Sequence, residues 1–108
     1  MAGQVDEADP ITVKEWLDAG KAVLVDVREV PEYAQEHIAG ALLVPLSEFD
    51  PEKFPQSPGK KVVIHCGVGQ RSQRAAEYLT GMGYKDIVNM SGGIMAWKEA
   101  GLPTEGSS

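Results

Sequence analysis

The stretch 61-KVVIHCGVGQRSQRAAEYL-79 decides the architecture. Lys61 to His65 is an apolar run rich in β-branched residues, the pattern of a strand buried on both faces. Cys66 and a glycine-rich segment follow at once. From Arg71 the spacing becomes helical, with Ala75, Ala76, Leu79 and Met82 on one face and Gly81 and Gly83 as the stop. A buried strand that passes through a short loop straight into a helix is the unit of a parallel α/β sheet. Ligand sites in such sheets lie at the carboxyl ends of the strands, which is where Cys66 falls.

The rest of the chain repeats the unit. AVLVDV, residues 22–27, and ALLVP, residues 41–45, read as two more buried strands, and Lys85 to Asn89 as a short fourth. Pro10 and Ile11 are expected to start an edge strand. Thr12, with Glu15 three residues on, has capping-box spacing for a helix carrying Val13, Trp16 and Leu17 and ended by Gly20. A second helix is expected over 31–37, and a last one after Gly92 and Gly93 that carries Ile94, Trp97 and Ala100. Ser47 to Phe49 reads as a single turn and 51–60 as a polar connection. The expected fold is a three-layer α/β/α domain over residues 10–105, with a mainly parallel sheet of about five strands. Residues 1–9 are expected to form a mobile acidic tail and 106–108 a frayed end.

The 108 residues suffice for one domain. Ten Lys and Arg against sixteen Asp and Glu leave a net charge of -6, which repels nucleic acid and anionic membrane. No apolar run approaches the roughly 18 residues of a membrane span, and the acidic start has no signal-peptide pattern. One cysteine excludes an internal disulfide and suits a reducing compartment, the cytoplasm. No surface stripe calls for a second copy, so a monomer is expected.

Gly67 and Gly69 permit backbone conformations closed to other residues, so the amides between Cys66 and the helix can turn inward as a cup. The helix start adds its positive end, and Arg71 a full charge. Such surroundings lower a thiol pKa and hold an anion beside it. The chemistry implied is a nucleophilic thiolate facing an anion. The competing reading of Cys66 is an inert buried residue at a strand end.

The segment CGVGQRS, residues 66–72, resembles the active-site loop of the rhodanese family of sulfurtransferases. Residues 24–46 and 83–103 are similar to that family's first and last signatures. The resemblance implies that Cys66 is the nucleophile and carries a persulfide. Gly67, Val68, Gly69, Gln70 and Arg71 would then form the loop around the sulfur, and Ser72 would begin the supporting helix. It implies a small donor anion, thiosulfate or a polysulfide, and a thiophilic acceptor: cyanide, a thiol, or a thioredoxin-like or other acceptor protein. A second functional class is a persulfide carrier with little activity on free thiosulfate. Many thiosulfate users of the family carry a basic residue just after the cysteine. Here Gly67 and Val68 stand there, which leaves the anion to backbone donors and Arg71. Glu36 replaces the family's usual glycine before His37 and is expected to alter only a local turn.

Cysteine phosphatases also join HC, a glycine-rich loop and an arginine, but place five residues between cysteine and arginine. Here there are four, with Ser72 in the sixth position. Asp26 and Arg28, at the end of a strand, read as a structural ion pair; the functional reading puts Arg28 at the pocket mouth. His37 reads as an anchor for a turn. His65 alternates away from Cys66 and reads as core, not base. The two histidines and the cysteine have no zinc-site spacing. No metal or cofactor is expected. Trp16, Trp97, Met82, Met90 and Met95 read as core filler.

Overall fold

The computed structural model describes residues 5–55 and 59–106. Five strands form one sheet: β1 (Asp6–Ala8), β2 (Ala22–Asp26), β3 (Leu42–Leu43), β4 (Lys61–His65) and β5 (Ile87–Met90). Their order is β1-β5-β4-β2-β3, and every pairing is parallel. The helices are α1 (Pro10–Asp18), α2 (Val30–Gln35), α3 (Gln70–Gly81) and α4 (Gly93–Glu99), with 3-10 turns at Leu46–Glu48 and Pro51–Lys53. This is the expected α/β/α architecture.

Strand alternation builds two cores. Val25 and Val27 join Val62, Ile64 and Cys66 beneath Ala75, Ala76 and Leu79 of α3. Leu24, Val63 and Val88 face the other way, against Val13 of α1 and Ile94 and Trp97 of α4. The central strand β4 is buried from Val62 to His65, so the chain emerging at Cys66 starts from the most constrained position in the sheet.

Several elements differ from their sequence expectation. The edge strand is Asp6–Ala8, inside the expected acidic tail, and Pro10 and Ile11 lie in α1 instead. Asp6, Glu7 and Ala8 carry no strand pattern of their own; pairing with Val88, Asn89 and Met90 orders them. Residues 1–4 of that tail and 107–108 of the expected frayed end lie outside the described residues. The cap of α1 is Asp9, whose carboxylate accepts from the Thr12 N–H at 2.8 Å, with Pro10 in the first turn. Thr12 is therefore inside the helix. Met82 and Met95 are about half exposed, while Met90 is buried. Met82 lies past the last turn of α3, so the helical stripe no longer governs it. Trp97 is core, and its indole N–H donates to the Pro103 carbonyl at 2.8 Å; Trp16 is only partly buried.

Candidate active site

His65 and Cys66 leave β4 on opposite faces. Cys66 turns toward α3 and is 1% exposed. Gly69 has φ +109°, a conformation suited to glycine, and this swings its N–H back to the Cys66 Sγ at 3.1 Å. The Ser72 hydroxyl lies 3.4 Å from the same sulfur. Burial opposes the thiolate. Hydrogen bonds from the Ser72 side chain and from the Ser72, Gly69 and Val68 amides outweigh it and bring the thiol below its ordinary pKa. The first turn of the twelve-residue α3 adds its dipole from the same side.

Inward-facing amides need outward-facing carbonyls, and α4 receives these. The Cys66 carbonyl accepts from Ile94 N–H at 2.9 Å, and the Gly67 carbonyl from Met95 N–H at 3.2 Å. Gly93 makes this possible: a Cβ there would overlap both carbonyl oxygens. The Gly92–Gly93 pair is thus a platform for the cysteine loop, built from the free N–H groups of a helix start.

Ser72 has one hydroxyl hydrogen and three acceptors beside it, the Gly69 carbonyl at 3.3 Å among them. Asn89 Oδ1 lies at 2.6 Å and the Cys66 sulfur at 3.4 Å. The Asn89 NH2 end faces Gln73 Oε1 at 3.1 Å, Gly69 O at 3.3 Å and Glu7 Oε2 at 3.4 Å. A carbonyl and a carboxylate can only accept, so the oxygen end of Asn89 must face Ser72. Asn89, 2% exposed, therefore competes with the sulfur for the Ser72 hydrogen.

Arg71 lies over Gly67, its Nη2 within 3.3 Å of where a Gly67 Cβ would stand. Its charge interacts with the Cys66 sulfur, and it is also engaged elsewhere. Both of its terminal nitrogens donate to Glu32 of α2, at 2.9 Å each. The guanidinium bonds hold the Glu32 carboxyl down at about pKa 2, and the pair raises the Arg71 pKa in turn. Val68 is 62% exposed at the loop tip, and Gln70 is exposed at the start of α3.

Asp26 and Arg28 lie deeper. Asp26 accepts from the Arg28 backbone N–H, Nε and Nη2, and Arg28 Nη2 also donates to the Glu36 carbonyl at 2.7 Å. Both are buried, so the arginine is not at the mouth. Glu36 does more than alter a turn. Its carboxylate binds Lys98 Nζ at 2.8 Å and Thr104 Oγ1 at 2.6 Å, tying the segment after α2 to α4 and the C-terminal residues. Ser47, in the 3-10 turn that follows β3, donates to Glu29 from both backbone and hydroxyl.

His65 Nδ1 faces the Cys66 carbonyl at 3.2 Å, so that nitrogen carries the hydrogen. Burial lowers its pKa against the pull of Asp26, whose carboxylate is 3.6 Å from Nε2. Its other nitrogen, Nε2, is directed to Asp26 and not to the Cys66 sulfur. His37 is stacked on Tyr33 and bonded to the Tyr33 carbonyl and to Glu105. Among the described residues no cluster of His, Cys, Asp and Glu is suited to a metal, and no helix is long and apolar enough to cross a membrane.

Sequence reading found the cysteine loop but missed Glu32 and Asn89. Glu32 stands 39 residues from Arg71 and on another helix. Asn89 reads from sequence only as the end of a strand.

A parallel α/β/α sheet with a recessed cysteine cup on its central strand defines the class, and the comparisons agree. The chain belongs to the Rhodanese family: the profile of the rhodanese-like domain matches residues 9–100. It is 39% identical over 101 residues to a protein named sulfurtransferase from Allochromatium vinosum, covering 92% of this chain and 94% of that protein. It is 41% identical over 95 residues to an uncharacterised protein of Synechocystis, covering 88% of this chain but only 53% of that protein. Among solved structures, a rhodanese-related protein from Thermoplasma volcanium superposes with a TM-score of 0.80 at 32% identity, covering 93% of this chain and 97% of that one. Family membership and the cysteine loop together support sulfur-transfer chemistry in general.

Proposed function

We propose that the chain moves sulfane sulfur from thiosulfate, a polysulfide or a persulfide to a thiophilic acceptor through a persulfide on Cys66. The observation that carries this is the Cys66 sulfur itself, recessed and met by the Gly69 N–H at 3.1 Å and by the Ser72 hydroxyl. The reaction is a double displacement. The thiolate attacks the outer sulfur of thiosulfate, the S–S bond breaks, and sulfite leaves with its electron pair. The loop amides and the α3 terminus stabilise the resulting persulfide anion. An acceptor thiolate or cyanide then takes the outer sulfur and frees Cys66. No base on the donor is needed, since it arrives ionised, and the hydrogen bonds of the loop favour the Cys66 thiolate. This matches the neutral, averted His65.

The acceptor in a cell would be a thiol or a thioredoxin-like protein, and the setting the reducing cytoplasm, with the domain acting as a monomer. The sulfurtransferase name of the Allochromatium relative supports the same reading. A carrier that receives its sulfur from a partner protein is the second reading, favoured by the engagement of Arg71 with Glu32.

The test is the intact mass of reduced protein after brief exposure to thiosulfate, with released sulfite measured alongside. A gain of one sulfur atom is expected, reversed by cyanide and absent in Cys66→Ser. Turnover of thiosulfate by folded Cys66→Ser would overturn the mechanism.

A further inference from the structure

Two arginines of the strand ends and loop are each paired with a carboxylate. Arg28 is spent on Asp26. Arg71, the cation of the loop itself, is held in both of its terminal nitrogens by Glu32. Glu32 is not a chance neighbour. Its Oε1 also accepts from the Glu29 N–H at 3.0 Å, closing a capping box at the start of α2, so the carboxylate is fixed from two directions. Glu29, at the same helix start, accepts from the Ser47 hydroxyl and amide. Arg74 lines a hollow with Glu7, Gly69, Gln70 and Glu77. Of the two arginines already engaged, Arg28 is held by Asp26 and Arg71 by Glu32.

Donors of sulfane sulfur differ in charge. Thiosulfate is a dianion. A thiosulfonate such as methanethiosulfonate is a monoanion with the same outer sulfur. Both react in the same balanced way: the Cys66 thiolate bonds to the outer sulfur, the S–S bond breaks, and the pair leaves on sulfite or on methanesulfinate.

We infer that Glu32 is a specificity-determining residue that discriminates against dianionic donors by occupying Arg71. This rests on the sulfur-transfer reading above and narrows its donor class to weakly charged ones: a persulfide on a thiol, or a monoanion. A thiosulfate must either displace Glu32 from Arg71 or approach with Glu32 facing it, and each additional donor charge increases that cost. A hydropersulfide asks for neither. Both side chains are about 40% exposed, so the effect is a bias and not an exclusion.

The experiment compares Glu32→Gln with the unaltered protein, measuring kcat/KM for thiosulfate and for methanethiosulfonate. Gln keeps a carbonyl oxygen for the Glu29 and Arg71 donors and removes the charge. Thiosulfate use should rise about five- to tenfold and methanethiosulfonate use about two- to threefold, so their ratio rises roughly threefold. The gain should shrink in about 0.5 M salt, and should vanish in the double variant E32Q/R71Q, where no freed guanidinium remains. If Glu32 merely positioned Arg71, Gln would lower both donors alike. A ratio that stays level or falls overturns the inference. Methanethiosulfonate charging of Cys66 with an unmoved ratio removes the role of Glu32 alone. Failure of both donors to charge Cys66 in any of these proteins removes the sulfur-transfer reading and the inference with it.

Discussion

Arg28 and Arg71 make the same bond in two media. Each grips a carboxylate with two nitrogens. The side chains of the Asp26–Arg28 pair are 0% and 7% exposed, whereas those of Glu32 and Arg71 are 40% and 41% exposed. Breaking the first pair strands a charge inside the protein, so its partner cannot be exchanged. Breaking the second returns both groups to water or to a ligand at small cost. Depth thus sorts two similar arginines into a structural fastening and an exchangeable contact.

The comparison breaks most sharply at Asp26. Asp26→Asn leaves Arg28 buried without a counter-charge and should cost about 3–5 kcal/mol of stability, read from the urea midpoint. A loss below about 1 kcal/mol would place Arg28 in the same class as Arg71. Arg71→Ala should shift stability by less than about 1 kcal/mol, yet lower kcat/KM for thiosulfate roughly tenfold, the scale of one charge-assisted contact. Unchanged donor kinetics would remove Arg71 from the site.

The smallest effect is expected between the two, at Ser72. Ser72→Ala removes one of the donors that hold the thiol down, so the Cys66 pKa should rise. The thiolate is the reactive form. Alkylation by iodoacetamide should therefore slow at neutral pH and recover at alkaline pH, with the profile displaced upward. A profile that does not move would mean the Ser72 hydrogen stays on Asn89 or the Gly69 carbonyl and not on the sulfur.

The interior strands and the cysteine loop were legible because burial on both faces writes itself as apolar runs, and because a glycine between strand and helix constrains a turn locally. β1 was not legible. Its three residues acquire their strand from β5 and carry no pattern of their own. The cap at Asp9 was missed, because Pro10 and Ile11 read as a strand and Thr12 with Glu15 has capping-box spacing, although Asp before Pro suits a helix start. Glu32 and Asn89 reach the site from other elements, and only the sheet order brings those elements together. Glu36 looked like a local substitution for the same reason: Lys98 and Thr104 are neighbours only in space.

The bonds from Ile94 and Met95 to the Cys66 and Gly67 carbonyls also set a moment in biosynthesis. A chain emerging from the ribosome presents Cys66 before it presents α4. Until α4 arrives, the loop carbonyls lack their Ile94 and Met95 donors. The support beneath the reactive sulfur is thus completed later than the strand and helix that carry it.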